Sequence, residues 1–180
     1  GTGELLRRSA DGRDEVAILG HPSNRGLGAA LRSGFRAATK DWIFYTDADL
    51  PVDPLIVART LRVAELHDID IVSCYRLDRT GEGTGRAVLS SGYNLATRLV
   101  TGLVVRDVNF AAKLVRRSVA MEHLPTCDSG FFDAELLARA IANGARVRQI
   151  GVDYFPRTAG TSTALSVRSI LDTARDLARI

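Results

Sequence analysis

The chain has 180 residues, 46% of them hydrophobic and 25% charged, with a formal net charge of +3. That size and balance fit one folded domain with a real core and exclude a disordered chain. The basic residues are spread along the chain rather than run together, which speaks against a nucleic-acid binder, and no apolar run reaches the length of a membrane span. In chain order, "ELLRRSA" predicts a short helix and "EVAILG" a short strand. "NRGLGAALRSGFRAAT" places Leu27, Leu31, Phe35 and Ala38 at helical spacing after Asn24, an N-cap residue. "DWIFYTDAD" reads as a strand, and "DPLIVARTLRVAELH" as a helix in which Asp53 caps and Pro54 occupies the first turn. "DIDIVSCYR" is again a strand, followed by the glycine-rich loop "LDRTGEGTG" and a largely apolar helix, "RAVLSSGYNLATRLVTGL". "VNFAAKLVRR" predicts a strand, "GFFDAELLARAIANG" a helix closed by Asn143-Gly144, "ARVRQIGVDYFPR" a strand, and "SVRSILDTARDLARI" an amphipathic terminal helix. Strands alternating with helices predict an α/β layered domain with a mainly parallel sheet.

Cys74 and Cys127 are too few for a disulfide framework and lack metal-site spacing, so both read as reduced thiols of an intracellular domain. Lysine occurs only at Lys40 and Lys113, and arginine makes up the rest of the basic residues. That skew suits planar phosphate recognition, and a GC-rich coding bias accounts for it equally well. His21, His67 and His123 are isolated and read as packing or surface residues. No signal peptide is visible.

The stretch "WIFYTDADLP" drives a buried strand into two carboxylates. In open α/β sheets ligands gather beyond the carboxyl ends of strands, which is where Asp47 and Asp49 fall. Residues two apart on a strand point to one side, roughly 6–7 Å apart, and like charges so placed repel unless a cation lies between them. Oxygen-only ligands suit Mg²⁺ or Mn²⁺, which also grip a substrate phosphate. The competing reading makes Asp47 and Asp49 turn residues leading into Pro51.

The segment "HPSNRGLGAALRSGFRAATKDWIFYTDADLPVDP" resembles the core of family 2 glycosyltransferases of the GT-A type. The matching residues are Asn24, Gly26, Gly28, Ala30 and Gly34 of an Asn-x-Gly-x-Gly-x-Ala-x-x-x-Gly helix start, then Asp47 and Asp49 of Asp-x-Asp. Downstream the sequence is similar to polyprenyl-phosphate sugar transferases such as dolichol-phosphate mannose synthase. The match runs through Arg76 after a strand, Arg86, Ser90 and Asn94 on a helix, Asp107 before a strand, and Arg157, Gly160 and Ser162 in an Arg-x-x-Gly-x-Ser loop. The resemblance covers nearly the whole chain. It implies a Rossmann-like, three-layer GT-A domain over residues 1–180 with a mainly parallel mixed sheet. It also implies an enzyme that moves a hexose from a nucleotide-diphosphate sugar to a polyprenyl (dolichyl or undecaprenyl) phosphate or related acceptor.

The same resemblance implies site roles. Asp47 and Asp49 would hold Mg²⁺ or Mn²⁺, which as Lewis acid neutralises the leaving diphosphate; Arg25, Asp47, Arg76, Arg86, Ser90, Asn94, Arg157 and Ser162 would bind substrates; Asp49, Asp107 and Glu135 would serve catalysis. A lipid phosphate is ionised near neutral pH, so the site needs guanidinium groups to place two anions side by side more than it needs a strong base. A solvated surface role is the competing reading for each arginine. Asp107 either orients the acceptor or acts as base, or it caps the strand entry. Asp133 and Glu135 lie two apart on a helix and do not share a face, so at most one points at the substrate, and Glu135 is preferred. The terminal helix, with Val167, Ile170, Leu171, Ala174, Leu177 and Ala178 near one face, rests on a membrane surface or packs on protein. The expected location is cytoplasmic, at the inner face of the cell membrane.

Three departures qualify the match. Pro51 stands where the mannose-synthase branch usually carries Gln, and Thr163 where many relatives carry Lys. The chain starts after the position of the Pro-x-Tyr-Asn-Glu strand and the Asp-Asp-x-Ser turn that bind the nucleoside, so the expectation is an N-terminally truncated domain lacking the first βαβ unit. Exposed sheet edges then predict a fragment that is unstable alone or pairs as a homodimer, and that binds nucleotide-sugar poorly. The rival readings are a truncated interaction module, a metal-dependent phosphatase, which wants Thr or Val where Pro51 stands, and a nucleotidyltransferase, whose glycine-rich N-terminal loop is not in these residues.

Overall fold

A computed structural model describes residues 2–78, 92, 95, 97, 98, 102, 104–155, 175 and 176. Helix α1 (Thr2–Ala10) comes first, then α2 (Leu27–Ala37), strand β1 (Trp42–Thr46), α3 (Ile56–His67), β2 (Ile71–Arg76), β3 (Ala112–Arg116), α4 (Arg117–Glu122), α5 (Phe132–Ala142) and β4 (Val147–Val152). The predicted strand "EVAILG" is a correction. Residues 16–20 are irregular, and Val16, Ile18 and Leu19 are exposed. A strand is held by its ladder partner, and this segment pairs with no described strand.

The sheet has the order β1-β3-β2-β4. β3 runs antiparallel to both neighbours, with Trp42 opposite Arg116, Thr46 opposite Ala112 and Ile71 opposite Val115. β4 runs parallel to β2, from Ile71 opposite Val147 to Arg76 opposite Val152. Three of the four strands therefore share one direction and β3 opposes them, a mixed sheet. This direction pattern positions the site, because the carboxyl ends of β1, β2 and β4 and the amino end of β3 meet at one edge.

Both faces of the sheet are covered. On one face Ile43, Tyr45, Ile71 and Val115 pack with Phe35 of α2, Ala120 of α4, and Phe132, Leu136, Leu137 and Ala140 of α5. Each large apolar side chain taken fully from water contributes about 1.5–3 kcal/mol. On the other face Val72 and Leu114 pack with Ala64 of α3, joined by Trp42, Phe44 and Leu61. The strand alternation in "WIFYT" sorts these two sets.

Helix ends follow the local chemistry. Asn24 Oδ1 accepts the Gly26 N–H at 3.0 Å just before α2. Asp53 Oδ1 accepts the Leu55 N–H at 2.8 Å, so the chain turns at Asp53-Pro54 and the helix proper begins at Ile56. At the end of α5, Gly144 takes φ +85° while Ala145 N–H bonds Ala140 O at 2.9 Å and Gly144 N–H bonds Ile141 O at 3.0 Å, the 6→1 and 5→2 pair of a Schellman ending. Cys74 and Cys127 are buried free thiols. Burial pushes the Cys74 thiol up to about 11.

Candidate active site

Strand β1 ends at Thr46, and Asp47 to Leu50 form a turn in which Leu50 N–H bonds Asp47 O at 3.1 Å. This corrects the expectation that both acids sit on the strand. The pleat no longer governs them, and the turn decides their directions. Asp47 is half-buried and Asp49 exposed. Leu50 closes the turn in the left-handed region at φ +48°, a conformation that costs an L-residue about 1–2 kcal/mol. Pro51 follows, and its carbonyl accepts the Phe155 N–H at 3.0 Å, which ties the β4 exit to the acid turn. Among the described residues no group of three or more His, Cys, Asp or Glu side chains converges to hold a metal. Two carboxylates at a sheet edge nevertheless fit Mg²⁺ or Mn²⁺, which complete their shells with water and phosphate oxygens.

Next along the edge, the structure brings Arg76 and Asp107 together. The Arg76 Nε donates to Asp107 Oδ2 and its terminal nitrogen to Oδ1, both at 2.7 Å. The pair is nearly buried, with side-chain exposures of 9% and 7%, so its geometry rather than solvent sets its direction. The guanidinium also lies over Phe110 at 5.4 Å and Tyr154 at 5.3 Å. Asp107 itself sits at φ +53°, and Phe110 N–H bonds its carbonyl at 2.9 Å, closing the turn into β3.

Beside this clamp opens a cavity of about 660 Å³. Its walls include Tyr75, Leu77, Leu95, Arg98, Val104 and Arg106. The Arg106 guanidinium stacks on Tyr75 at 5.3 Å. Gln149 of β4 accepts the Arg106 N–H at 3.0 Å and donates to its carbonyl at 2.9 Å, fixing the backbone there. Within the described residues neither Arg98 nor Arg106 has a carboxylate partner, whereas Leu77, Leu95 and Val104 expose apolar surface at the rim. The cavity therefore combines positive charge with apolar walls.

The two acids on α5 point different ways, and both are buried. Glu135 clamps the preceding loop: it accepts the backbone N–H groups of Thr126 and Cys127 at 3.0 Å each and the Thr126 hydroxyl at 3.1 Å, and it pairs with Arg139 at 2.6 Å. Burial pushes its pKa up, but those N–H groups, the Cys127 thiol and Arg139 outweigh it and hold the carboxyl below its usual range. Asp133 faces the sheet, where it accepts the Tyr45 hydroxyl and lies 3.3 Å from the Lys113 ammonium. Burial, then the Asp133 charge, raises the Tyr45 pKa well above its ordinary value.

The glycine motif ahead of β1 has a packing cause. A Cβ on Gly26 would lie 2.2 Å from Asp128 O, and one on Gly28 2.3 Å from Cys127 O. Gly28 N–H bonds Asp128 O at 3.0 Å, and Arg32 binds both Cys127 O and the Asp128 carboxylate. The glycines let α2 lie against the loop that Glu135 holds from the other side. Arg25 is exposed in the turn before α2. Arg86, Ser90, Asn94, Arg157, Ser162 and the terminal helix fall outside the described residues, apart from positions 175 and 176. Sequence reasoning missed Lys113, Asp133 and Tyr45 as one cluster, and Arg98, Arg106 and Gln149 at the cavity. A lysine inside the apolar run "FAAKLV" was the available signal.

Three arginines away from this edge make structural contacts. Arg116 and Arg146 converge on Asp70 and Asp68 at the opposite edge of the sheet, Arg117 donates to Ala38 O at 2.7 Å, and Arg116 stacks on Trp42 at 4.6 Å. No helix among the described residues is long and apolar enough to cross a membrane.

The sequence matches the profile of glycosyl transferase family 2 over residues 1–124. It is 28% identical over 183 residues to the glycosyltransferase AglD of Haloferax volcanii, covering 99% of this chain and 29% of that protein. It is 28% identical over 169 residues to the undecaprenyl-phosphate 4-deoxy-4-formamido-L-arabinose transferase of Pseudomonas syringae, covering 93% of this chain and 48% of the relative. The chain thus spans about a third to a half of the length of these relatives. Glucosyl-3-phosphoglycerate synthase of Mycobacterium tuberculosis, in complex with phosphoglyceric acid, shares the fold at a TM-score of 0.69 and 18% identity, over 98% of this chain and 64% of that one. The same enzyme in complex with Mn²⁺ and UDP-glucose matches at 0.64 and 19%, over 95% and 59%. With the GT-A-type sheet and the profile match over more than half its residues, the chain belongs to glycosyl transferase family 2.

Proposed function

We propose that this chain is the GT-A unit of an enzyme that moves a hexose from a nucleotide-diphosphate sugar to a polyprenyl phosphate, with a divalent cation held by Asp47 and Asp49. The observation that carries the reading is the convergence at one sheet edge of the acid turn, the buried Arg76–Asp107 clamp and a cavity that is cationic and apolar at once. A lipid phosphate has that same pairing of anion and hydrocarbon. The relative from Pseudomonas syringae, whose name specifies an undecaprenyl-phosphate transferase, supports the acceptor, and the complex of the mycobacterial synthase with Mn²⁺ and UDP-glucose supports the donor and the metal.

In this mechanism the bound cation supplies charge neutralisation to the departing diphosphate. The chain's own residues do the rest. Asp47 and Asp49 orient the donor end of the site. The clamp fixes the β2 exit beside them, and Arg98 and Arg106 draw the acceptor phosphate into the cavity while Leu77, Leu95 and Val104 face its hydrocarbon. An acceptor phosphate oxygen forms the new bond to the anomeric carbon as the bond to the nucleoside diphosphate breaks and the electron pair leaves with it. The acceptor oxygen is already ionised, so no side chain has to remove a proton from it. Arg25, Arg86, Ser90, Asn94, Arg157 and Ser162 complete the substrate contacts in this reading, and the exposed rim of the cavity rests at the inner face of the membrane. Glu135 shapes the site by holding the 126–128 loop.

The test is transfer by the full-length protein from UDP-glucose or GDP-mannose to undecaprenyl phosphate with Mn²⁺. Lipid-linked sugar should form with one donor, vanish on chelation and fall in Asp49→Ala. Sugar released only to water, or phosphatase turnover without a nucleotide sugar, would reject the proposal.

A further inference from the structure

Lys113 is fully buried in the central strand β3, flanked in register by Tyr45 of β1 and Ser73 of β2. Its ammonium donates to Phe110 O at 2.6 Å and lies 3.3 Å from Asp133 of α5, whose Oδ1 accepts the Tyr45 hydroxyl. The ammonium also sits 5.7 Å from the Tyr45 ring centre. Around this charge pair the packing is apolar: Phe35, Phe131, Phe132, Leu136 and Leu137. Apolar side chains of similar volume would fill the space without desolvating two charges, and such replacements are often neutral or stabilising. What they could not do is donate from the core to the Phe110 carbonyl, whose other bond is the local one from the Ala112 N–H at 2.8 Å. That carbonyl belongs to the turn in which Asp107 is left-handed and Phe110 N–H bonds Asp107 O, and the ring of the same Phe110 lies under the Arg76 guanidinium.

We propose that Lys113 is a positioning residue. Through Phe110 it fixes the turn that presents Asp107 to Arg76, and through Asp133 and Tyr45 it ties that turn to the strand leading into Asp47 and Asp49. One buried ammonium thereby sets the clamp in register with the acid turn. The kinetic part of the test rests on the function proposed above; the structural part does not.

The experiment replaces the whole cluster in the full-length protein with apolar residues, Tyr45→Phe with Lys113→Met and Asp133→Leu, so that no lone charge is left buried. Hydrogen exchange is followed by mass spectrometry on peptides covering 104–112 and 132–142, together with kcat and KM for undecaprenyl phosphate and for the nucleotide sugar. The expected result is a thermal midpoint near wild type, exchange in 104–112 faster by about tenfold with 132–142 unchanged, and kcat/KM for undecaprenyl phosphate lower by about 10–100-fold. The donor KM should stay within about twofold, since the acid turn itself is untouched. Wild-type protection of 104–112, or wild-type kinetics, would overturn the proposal and leave the cluster a packing feature. If the wild-type protein transfers nothing to undecaprenyl phosphate, the functional reading fails and the exchange result alone decides. Asp133→Asn, which keeps the side-chain shape, serves if the triple replacement does not fold: acceleration in 104–112 supports the proposal and unchanged protection sinks it.

Discussion

At the scale of single residues, two positions show how different causes produce similar costs. Gly28 has no room for a methyl group, because Cys127 O would stand 2.3 Å from it. Gly28→Ala should therefore destabilise by about 1–3 kcal/mol through overpacking, seen as a lower urea midpoint with an unchanged slope. Glu135 acts through charge. Glu135→Gln removes charge-assisted bonds to Thr126, Cys127 and Arg139, at a cost of about 1.5–3 kcal/mol near pH 7. Its carboxyl titrates below the usual range when folded. The stability it contributes is therefore present above the ordinary carboxylate pKa of about 4.3 and lost as pH falls through the lower folded value. Chemical denaturation of wild type and Glu135→Gln between pH 7 and pH 3 should show the two curves converging on acidification. A difference that widens toward low pH would contradict the assignment.

At the scale of elements, α5 is anchored on several sides at once. Phe132, Leu136 and Leu137 seal it to the sheet, Glu135 ties it to the preceding loop and Asp133 to Lys113. Leu136→Ala should cost about 2–5 kcal/mol, since the cavity left is closed in by Phe35 and Phe132 neighbours. Gly144→Ala, where no atom lies within 4 Å of the added methyl but φ is +85°, should cost only the left-handed penalty of about 1–2 kcal/mol. Comparing the two by thermal unfolding separates packing from backbone conformation within one helix. Asp133 and Glu135 occupy different faces of α5, as their spacing implied, and both faces are covered.

At the scale of the whole molecule, the sheet order gathers chemistry from segments far apart in sequence. Asp47, Arg76, Asp107 and Tyr154 reach one edge only because β3 runs against its neighbours and β4 docks beside β2. The arginine cluster on Asp70 holds the opposite edge. With the cation held by Asp47 and Asp49 as proposed, Asp47→Asn in the full-length protein should lower kcat/KM for sugar transfer by about 10²–10³-fold, the scale of lost charge stabilisation in a transition state, with little change in thermal midpoint. Mn²⁺ affinity measured by calorimetry should fall in parallel. Loss of activity with intact Mn²⁺ binding would move the metal elsewhere.

Legible in the sequence alone were the family resemblance, most of the described elements and the place of Asp47 and Asp49 at the carboxyl end of β1. These rest on short-range facts: apolar spacing, capping residues and a motif with fixed internal distances. "EVAILG" shows the limit, since its composition is that of a strand but a strand exists only with a partner to bond. The pairing of Arg76 with Asp107, the burial of Lys113 beneath Asp133, and the cavity between Arg98 and Arg106 were decided by tertiary structure alone. Each joins residues from different elements, and a charge inside "FAAKLV" states that a partner is needed without saying which. Only the register of β3 between β1 and β2, with α5 laid across it, supplies that partner, because a buried charge is satisfied by what packs against it rather than by what precedes it in the chain.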